Sequence, residues 1–502
     1  MSSINYREEC TMAAASEHTG SITDELHNDS LTPLPAEEKK WGWFEIFNVW
    51  ANDIQSLFGY SLVASLFISY GVTGWTAFLA LLTASVLVMF LVNISGKPGV
   101  EHGIPYPVLA RASMGTRGAR LPSILRATVA VFWYGAQTYF ASTALYLLLV
   151  TITGYHSESE WMGLSLLGWI SFLLVWCLQI AIFSRGMQWV GTFLNLAGPF
   201  VYLVMLGLLV VLWQKSDGKL WDAAQTIFAP EHPTWQSEFT GFIAIVGTMV
   251  AYFAAVMINF SDFSRYSRSH RSMMLGNLIG LPLNMVLFSA LALLITAGAA
   301  VLYGEKIVNP SQIVERTDSA LLSVIAAVTF FAATVGINLV ANFIPAVNGI
   351  ANMAPARLNF KRAGWITSLF ALVIGGFWVS FISRIGISGF VNTLGATLAP
   401  LYGIMVMDYF IVKKQQLTLK DLYSSDPAGA YAYEAGWNQK ALFAFLIGAL
   451  FSVSSVWVEE MSQLSGYAWL LGAVIGALMY AVAMSSAVRE AGSRYSKGRM
   501  AP

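Results

Sequence analysis

Apolar residues dominate twelve stretches of this chain, and each stretch is long enough to cross a bilayer as a helix. About 20 apolar residues span a hydrocarbon core of about 30 Å, and the stretches lack the alternation of barrel strands. Because lipid offers no hydrogen bonds to backbone groups, α-helices are predicted. The predicted spans, numbered 1 to 12 in chain order, are residues 43–70, 74–95, 121–150, 162–184, 190–213, 239–262, 274–303, 320–345, 364–384, 387–411, 439–458 and 466–487.

Composition and charge placement agree with a membrane protein. Of the 502 residues, 56% are hydrophobic and 11% are charged, and the mean hydropathy is +0.61, which is more apolar than a soluble domain of ordinary composition. With both termini in the cytoplasm, the basic residues that face outward are Lys215, Lys219, Lys306, Arg316 and Arg384, so 28 minus 5, or 23 of 28, face inward. This asymmetry predicts a multi-pass protein of the cell membrane with cytoplasmic termini.

The soluble segments divide the chain further. Residues 1–38 are polar and acidic without a signal peptide, which predicts a disordered cytoplasmic tail. The transporter core is predicted at 39–415, spans 11 and 12 at 416–487, and a cytoplasmic tail at 488–502. The segment 97–122 is rich in Gly, Pro and Arg and is expected to lie along the membrane surface or to fold under the bundle.

Two polar pairs inside apolar helices are the strongest chemical signal. Trp133 and Gln137 are spaced i, i+4, as are Asn338 and Asn342, so each pair presents one helix face to a common interior. Carboxamides beside an aromatic ring suit a flat, neutral ligand that has its own donors and acceptors. The alternatives are a tryptophan that faces lipid and amides that only join neighbouring helices.

Other chemistry is not indicated. The six histidines are scattered with no metal-ligand spacing, and no phosphate loop or nucleophile motif accompanies the helices. The sequence therefore predicts neither an enzyme nor a cofactor nor a metal site, and no nucleic acid partner. The expected partners are a small neutral heterocycle, a coupling cation and the lipid bilayer.

Five sequence blocks closely resemble the nucleobase:cation symporter-1 family. They are PYPVLARASMGTRGARLPSILRA (105–127), WYGAQTY (133–139), INFSDFSRYSR (258–268), NLVANFIPAVNGIANMAPARLNFKR (338–362) and LAPLYGIMVMDYFIVKK (398–414). The resemblance implies an all-α, LeuT-like fold in which spans 1–5 and 6–10 are inverted repeats and spans 11 and 12 are peripheral. Spans 1 and 6 are then expected to be interrupted near the midplane, with better support from the sequence in span 1.

The resemblance also implies which residues hold the ligand. An aromatic residue of span 3 and one of span 6 sandwich the ligand in this family, and these positions match Trp133 and Phe253. The amides match Gln137 and Asn342, with Asn338 one turn before Asn342. Near the expected break of span 1, Gln55 and Ser56 are further candidates for substrate contact.

The coupling ion is where the sequence departs from the family pattern. Sodium-coupled relatives place a Ser and a Thr on span 8, where this chain has Gly336 and Ile337, leaving Ala333 and span 1 carbonyls as ligands. An ionisable residue within a membrane helix is expensive and marks function by default. Asp53 is therefore predicted to carry a coupled proton, with a solvated position near the cytoplasm as the alternative.

The predicted function is secondary active import of a neutral nucleobase-like or hydantoin- or allantoin-like heterocycle by alternating access, coupled to H⁺ rather than Na⁺. Sodium-coupled symport of the same ligands is the alternative. A channel is disfavoured because the isolated amides do not form a continuous polar lining. A membrane receptor for the same ligand has only the N-terminal tail in its favour.

Overall fold

The chain forms an all-α membrane protein, as its hydropathy pattern predicts. In this computed structural model, the described residues are 26, 28, 31–155, 159–185, 187–354 and 356–485, without the side chains of 187–199. Within these ranges, nine helices are long and apolar enough to cross a membrane, and a bent pair adds a tenth. The predicted tail 488–502 and residues 1–25 of the predicted tail 1–38 lie outside the described residues.

The helices are numbered α1 to α18 in chain order, with one β-hairpin. They are α1 (Trp43–Ile54), α2 (Leu57–Tyr70), α3 (Gly74–His102), α4 (Tyr106–Met114), α5 (Arg120–Thr153), β1 (Glu160–Trp161), β2 (Leu164–Ser165), α6 (Leu166–Ser184), α7 (Met187–Lys215), α8 (Leu220–Thr226), α9 (Trp235–Ile258), α10 (Ser261–Ser264), α11 (His270–Tyr303), α12 (Pro310–Glu315), α13 (Ala320–Met353), α14 (Phe360–Gly376), α15 (Ile382–Val412), α16 (Leu419–Leu422), α17 (Gln439–Trp457) and α18 (Ala468–Ala483).

Each predicted span corresponds to an element of this series. The first span is the pair α1 and α2, the fifth is α7, which bends by 100° into α8, and the ninth is the 17-residue α14. The remaining nine spans are the nine long apolar helices. Helix α5 packs against α6, α13 and α14, whereas α9 packs between α3 and α15, and α15 contacts both α17 and α18.

The first span is interrupted and the sixth is not. Between α1 and α2, Gln55 and Ser56 leave the helical path, and Ser56 caps α2 by accepting a hydrogen bond from the Gly59 amide at 3.0 Å. A Cβ at Gly59 would lie 2.4 Å from the carbonyl oxygen of Ile54, so only glycine fits this break. Helix α9 runs unbroken because it contains no proline and keeps its helical hydrogen bonds. The interruption that the resemblance implies for span 6 is therefore absent from Trp235–Ile258.

Three later helices contain a wider, π-helical turn. These turns are Ile279–Leu283 in α11, Asn338–Phe343 in α13 and Asp408–Val412 in α15. Such turns are frequent at functional sites because they free backbone carbonyls and rotate the side chains that follow. The turn in α13 carries both asparagines of the predicted amide pair.

The segment 97–122 folds under the bundle, the second of the two expected arrangements. All nine residues of α4 are buried. Arg111 donates to Asn352 Oδ1 at 2.7 Å and to the carbonyl of Leu422 at 3.0 Å, and burial lowers the pKa of this guanidinium to about 10. The end of the bundle that carries the connections with Arg111, Arg265, Arg357 and Lys413 is called the basic face below.

Part of the predicted N-terminal tail packs on the basic face. Leu31 is completely buried, and its carbonyl accepts a hydrogen bond from the Tyr423 hydroxyl at 2.7 Å. The Leu34 amide donates to the carbonyl of Gly103 at 2.9 Å, and Asn28 Nδ2 donates to the carbonyl of Leu358 at 3.3 Å. The predicted tail boundary at residue 38 therefore falls inside a packed segment, because this stretch supplies an apolar anchor and backbone pairs.

Candidate functional site

A small cavity lined by buried residues lies beside the break between α1 and α2. Its polar and aromatic lining comes from Asp53, Trp133, Gln137, Tyr252 and Asn342, and Ala255, Val256 and Ala341 complete the wall. The free space is about 10 Å³, close to the least that holds one water molecule. A heterocycle therefore enters only after the helices around the cavity move apart.

The aromatic wall of the cavity is built around Trp133. Its ring contacts Tyr252 edge-on, with centroids 5.4 Å apart and planes at 81°. The rings of Phe58 and Phe390 also meet Trp133 edge-on, at 4.8 Å and 5.2 Å. These edge-to-face contacts hold Trp133 within an aromatic cluster at the border of the cavity.

The aromatic residue that α9 supplies is Tyr252 rather than Phe253. Phe253 is completely buried, lies outside the cavity lining and packs edge-on against Trp50 with centroids 5.8 Å apart. The side chains of successive residues in an α-helix point about 100° apart. An alignment that is shifted by one position therefore selects a side chain on a different face of α9. The expectation for Phe253 is corrected to Tyr252 in the cavity wall.

The break in the first span is stabilised by hydrogen bonds from other helices. In a continuous helix, the Leu57 amide would bond the carbonyl of Asp53. Here the Leu57 amide donates to Thr334 Oγ1 on α13 at 3.1 Å, while the Asp53 carbonyl accepts from Ser56 Oγ at 3.0 Å and Tyr252 OH at 2.9 Å. Both backbone groups released by the break are thus satisfied.

Asp53 is buried within this arrangement. Its carboxylate Oδ1 accepts a second hydrogen bond from Tyr252 OH at 3.1 Å. The residue is 7% exposed and borders the cavity.

The two glutamines near the break of the first span take different positions. Gln137 lines the cavity, and its Nε2 lies 3.4 Å from Ser56 Oγ, so Ser56 contacts a cavity residue without lining the cavity. Gln55 turns away instead, because its Nε2 donates to Asn284 Oδ1 on α11 at 3.3 Å. Of these three candidates for substrate contact, the structure brings Gln137 to the cavity.

The two asparagines of α13 also take separate positions. Asn342 lines the cavity, and its Nδ2 donates to Asn338 Oδ1 at 2.9 Å. Asn338 is fully buried behind it, where its Nδ2 contacts the carbonyl of Tyr134, Thr138 Oγ1 and Gln179 Oε1 at 2.9–3.1 Å. Asn338 therefore supports Asn342 from behind rather than lining the cavity.

A buried arginine, Arg126, joins the helices next to the site. Pro345 lacks the amide that would bond the Ala341 carbonyl, and Arg126 Nη2 donates to that carbonyl at 3.0 Å. Arg126 Nε donates to Asn259 Oδ1 at 3.1 Å, and Asn259 Nδ2 donates to Asp262 Oδ2 at 2.9 Å. Burial raises the pKa of Asp262, against the effect of its hydrogen bonds and of the nearby arginines.

The predicted cation positions lie on the same stretch of α13. Ala333 and Gly336 are fully buried, and Thr334, the hydroxyl between them, already accepts the Leu57 amide. Among the described residues, no group of three or more His, Cys, Asp or Glu side chains is placed to hold a metal ion.

Sequence reasoning missed four residues of this region: Tyr252, Thr334, Gln179 and Arg126. Tyr252 stood one position from the residue selected, and Thr334 stood beside Ala333 in the stretch compared with sodium-coupled relatives. Gln179 and Arg126 are polar residues within predicted helices, and that rarity was the available signal.

Sequence comparisons agree with the architecture. A family model described as a permease for cytosine/purines, uracil, thiamine and allantoin matches residues 33–472. An allantoin permease of Bacillus subtilis is 32% identical over 468 residues, which cover 92% of this chain and 94% of the relative. A purine-uracil permease of Arabidopsis thaliana is 27% identical over 443 residues, covering 88% of this chain and 73% of the relative.

Solved structures share the fold. Mhp1, a nucleobase-cation-symport-1 transporter in a closed conformation with bromovinylhydantoin bound, superposes with a TM-score of 0.75 at 19% identity, covering 93% of this chain and 96% of that one. A Na⁺-coupled sialic acid symporter superposes with a TM-score of 0.60 at 12% identity, covering 89% and 91%. The chain thus has the fold of cation-coupled symporters.

Proposed function

Because this chain belongs to the nucleobase:cation symporter-1 family, we propose that it carries a small neutral heterocycle of the nucleobase, hydantoin or allantoin type across the membrane by alternating access, together with a proton. The observation that carries the proposal is the cavity at the break of the first span, where Trp133, Gln137 and Asn342 meet Asp53 and Tyr252. Transport of a heterocycle with a proton requires groups that bind the ring and a group that carries the proton. The ring of Trp133 and the two carboxamides suit the first role, and the carboxylate suits the second.

The lining favours a neutral ligand over a charged one. Asp53 is the only charged side chain in the cavity wall, and it is engaged by Tyr252. An amino acid would bring a carboxylate and an ammonium group that need opposite charges or helix ends, and a cavity in lipid makes unpaired charges costly. Trp133 offers stacking instead, which is worth about 1–3 kcal/mol per base in comparable sites.

The small volume of the cavity supports alternating access. A heterocycle does not fit into about 10 Å³, so the helices that carry the lining must separate on one side of the membrane and then on the other. The lining divides between α1 and α9 on one hand and α5 and α13 on the other. In transporters with inverted repeats, rocking of one such group against the other exposes a single central site to each side in turn.

The same residues favour a proton as the coupling ion. A hard cation needs several oxygen ligands, but Gly336 and Ile337 bring none from their side chains, and the hydroxyl of Thr334 accepts the Leu57 amide. Asp53 borders the ligand cavity and is hydrogen-bonded to a second helix. Its protonation therefore alters both the ligand site and the contact between α1 and α9.

The experiment is uptake by the full chain in sealed proteoliposomes. Radiolabelled uracil, hydantoin and allantoin are supplied with an inward proton gradient, an inward Na⁺ gradient or neither. We expect accumulation of at least one compound, driven by the proton gradient and indifferent to replacing Na⁺ by choline. Accumulation that requires Na⁺ contradicts proton coupling; binding without accumulation indicates a receptor, and ligand-gated conductance without counterflow indicates a channel.

A further inference from the structure

The orientation of the Asn338 carboxamide is fixed by a main-chain carbonyl. The oxygen of Tyr134 can only accept a hydrogen bond, so the Asn338 atom 3.0 Å from it is Nδ2. Thr138 Oγ1 already gives its hydrogen to the same carbonyl at 2.7 Å, so it accepts from Asn338 at 3.1 Å. Gln179 donates to Thr138 at 3.0 Å and turns its Oε1 to Asn338 at 2.9 Å. All these contacts require the amino end of Asn338.

This orientation determines that of Asn342. With Nδ2 committed to the buried acceptors, Asn338 offers only Oδ1 to Asn342, at 2.9 Å. The Asn342 atom at that contact must be Nδ2, because two carbonyl oxygens would repel each other. The carbonyl end of Asn342 is therefore the end that remains for the cavity that this residue lines.

Gln137 is oriented in the same way by another main-chain carbonyl. Ser56 Oγ gives its only hydrogen to the Asp53 carbonyl at 3.0 Å and accepts from the Gly59 amide at 3.0 Å. The Gln137 atom that meets Ser56 at 3.4 Å must then be Nε2. Its Oε1 is buried and has no hydrogen-bond partner among the described residues, although Gln137 lines the cavity.

We propose that the site presents two carbonyl oxygens, Gln137 Oε1 and Asn342 Oδ1, to its ligand and so selects rings that carry two N–H donors, such as cyclic ureides and imides. This inference rests on the proposed function and narrows its substrate class. Asn338, Thr138 and Gln179 are positioning residues, because they touch the ligand through no atom of their own and fix which end of Asn342 faces the cavity. A ring with an acceptor or an N-methyl group at either edge leaves a buried oxygen unpaired.

The test is a competition binding assay on the purified full chain, with radiolabelled hydantoin as the probe and hydantoin, 1-methylhydantoin and 3-methylhydantoin as competitors. Each single methylation is expected to weaken binding by about 5- to 150-fold, the range for one unpaired buried polar group. Uracil is expected to compete better than cytosine, which replaces one ring N–H by an acceptor. Equal affinity for all three hydantoins, or a preference for cytosine, overturns the inference.

A pair of variants at Asn338 separates positioning from simple structural support. Asn338→Leu removes the acceptor for Asn342 Nδ2, so the amide can rotate, and the penalty for methylation at one ring nitrogen is expected to fall. The penalty at the other nitrogen, read by Gln137, stays as an internal control. Asn338→Asp is expected to be protonated, because its outer oxygen faces the Tyr134 carbonyl and Gln179 Oε1; its hydroxyl then replaces the donor, its other oxygen still faces Asn342, and both penalties should be retained. A purely structural role moves all three dissociation constants by one common factor, and that result also contradicts the inference.

Failure of the inference is distinguishable from failure of the proposed function. If hydantoin, uracil and allantoin all fail to bind wild-type protein, the proposed heterocycle site is wrong, and the inference falls with it. If hydantoin binds and is transported but N-methylation has no effect, transport stands and the two-acceptor site is wrong. The wild-type panel needs no variant, so the test does not depend on the folding of Asn338→Leu.

Discussion

The hydroxyl of Tyr252 shares its single hydrogen between two oxygens of Asp53, the main-chain carbonyl at 2.9 Å and carboxylate Oδ1 at 3.1 Å. The first bond satisfies a carbonyl that the helix break releases, and the second depends on the charge of the carboxylate. A hydrogen bond to an ionised acceptor is roughly twice as strong as a neutral one. The protonation state of Asp53 thus sets how firmly α1 and α9 are joined at the ligand site.

Asp53→Asn is expected to abolish accumulation driven by a proton gradient while leaving exchange of internal for external substrate. The amide cannot bind and release a proton, whereas it keeps an oxygen for the Tyr252 hydroxyl. In wild-type vesicles, uptake should rise as the external pH falls, because proton entry drives import; in the variant, this dependence should disappear. Uptake and counterflow in proteoliposomes measure both properties.

Tyr252→Phe is the matched control for this prediction. It removes the hydroxyl and keeps the ring that meets Trp133, so ligand binding is expected to change less than coupling. If Asp53→Asn accumulates substrate with wild-type pH dependence, Asp53 has no part in coupling.

Trp133→Ala is expected to weaken ligand binding because it removes the ring available for stacking. A contribution of about 1–3 kcal/mol corresponds to a rise in Kd of about 5- to 150-fold. Trp133→Phe keeps a smaller ring, so its Kd should lie between those of the wild type and Trp133→Ala. Binding of radiolabelled hydantoin is the measurement, and Trp235→Ala, at a ring that is 82% exposed, serves as the control. Unchanged affinity in Trp133→Ala would place the ligand elsewhere.

Thr334→Val is expected to destabilise the protein by about 1–3 kcal/mol, because the Leu57 amide is left buried without an acceptor. Thr334→Ser keeps the hydroxyl and should lose less stability than Thr334→Val. Unfolding of the purified protein in detergent, followed by temperature or denaturant, compares the two variants. Equal losses would mean that the methyl group, and not the hydrogen bond to the helix break, is what matters at this position.

Arg126→Met is expected to open the cavity toward the basic face. The change leaves Asn259 Oδ1 and the Ala341 carbonyl without the donors that now join them across α5, α9 and α13. The measurement is labelling of Ala341→Cys, in a background where Cys10 and Cys177 are both replaced by serine, by a membrane-impermeant thiol reagent added at the basic face. Arg120→Met, at an exposed position of the same helix, should leave the labelling rate unchanged. If Arg126→Met is also labelled at the unchanged rate, Arg126 does not restrict access to the cavity from the basic face.

Gly395→Ala is expected to destabilise the protein, whereas Gly389→Ala on the same helix should be close to neutral. A Cβ at Gly395 would lie 2.7 Å from Ala251 Cβ on α9, but at Gly389 the nearest atom is 3.7 Å away. Overpacking of this kind costs about 1–3 kcal/mol. Thermal unfolding in detergent compares the two variants. Similar midpoint temperatures would show that α9 and α15 move apart to admit the methyl group without loss of stability.

The helical spans and part of the site follow from sequence because both depend on local spacing. Twenty apolar residues define a span wherever they occur, and the i, i+4 interval places Trp133 and Gln137 on one face. Periodicity fixes that face without any knowledge of how the helices pack. Asn342 also reaches the cavity, from another helix, but Asn338 at the same spacing lies behind it.

The remaining features depend on tertiary contacts that spacing does not encode. Tyr252 and Phe253 are both aromatic neighbours on a continuous helix, and only the rotation of α9 against α5 decides which of them meets Trp133. Asn338 is equivalent to Asn342 in sequence, and its separate role comes from Gln179 on a third helix. The unbroken course of α9 likewise reflects its own hydrogen bonds rather than the symmetry of the repeats.

The N-terminal stretch at the basic face ties together connections that belong to different helices. Leu34 is paired to Gly103 after α3, while Asn28 reaches Leu358 before α14. Any widening between these two points must first detach one end of this tether. We therefore expect a purification tag or partner domain fused ahead of Asn28 to change the rate of transport more than the affinity for ligand.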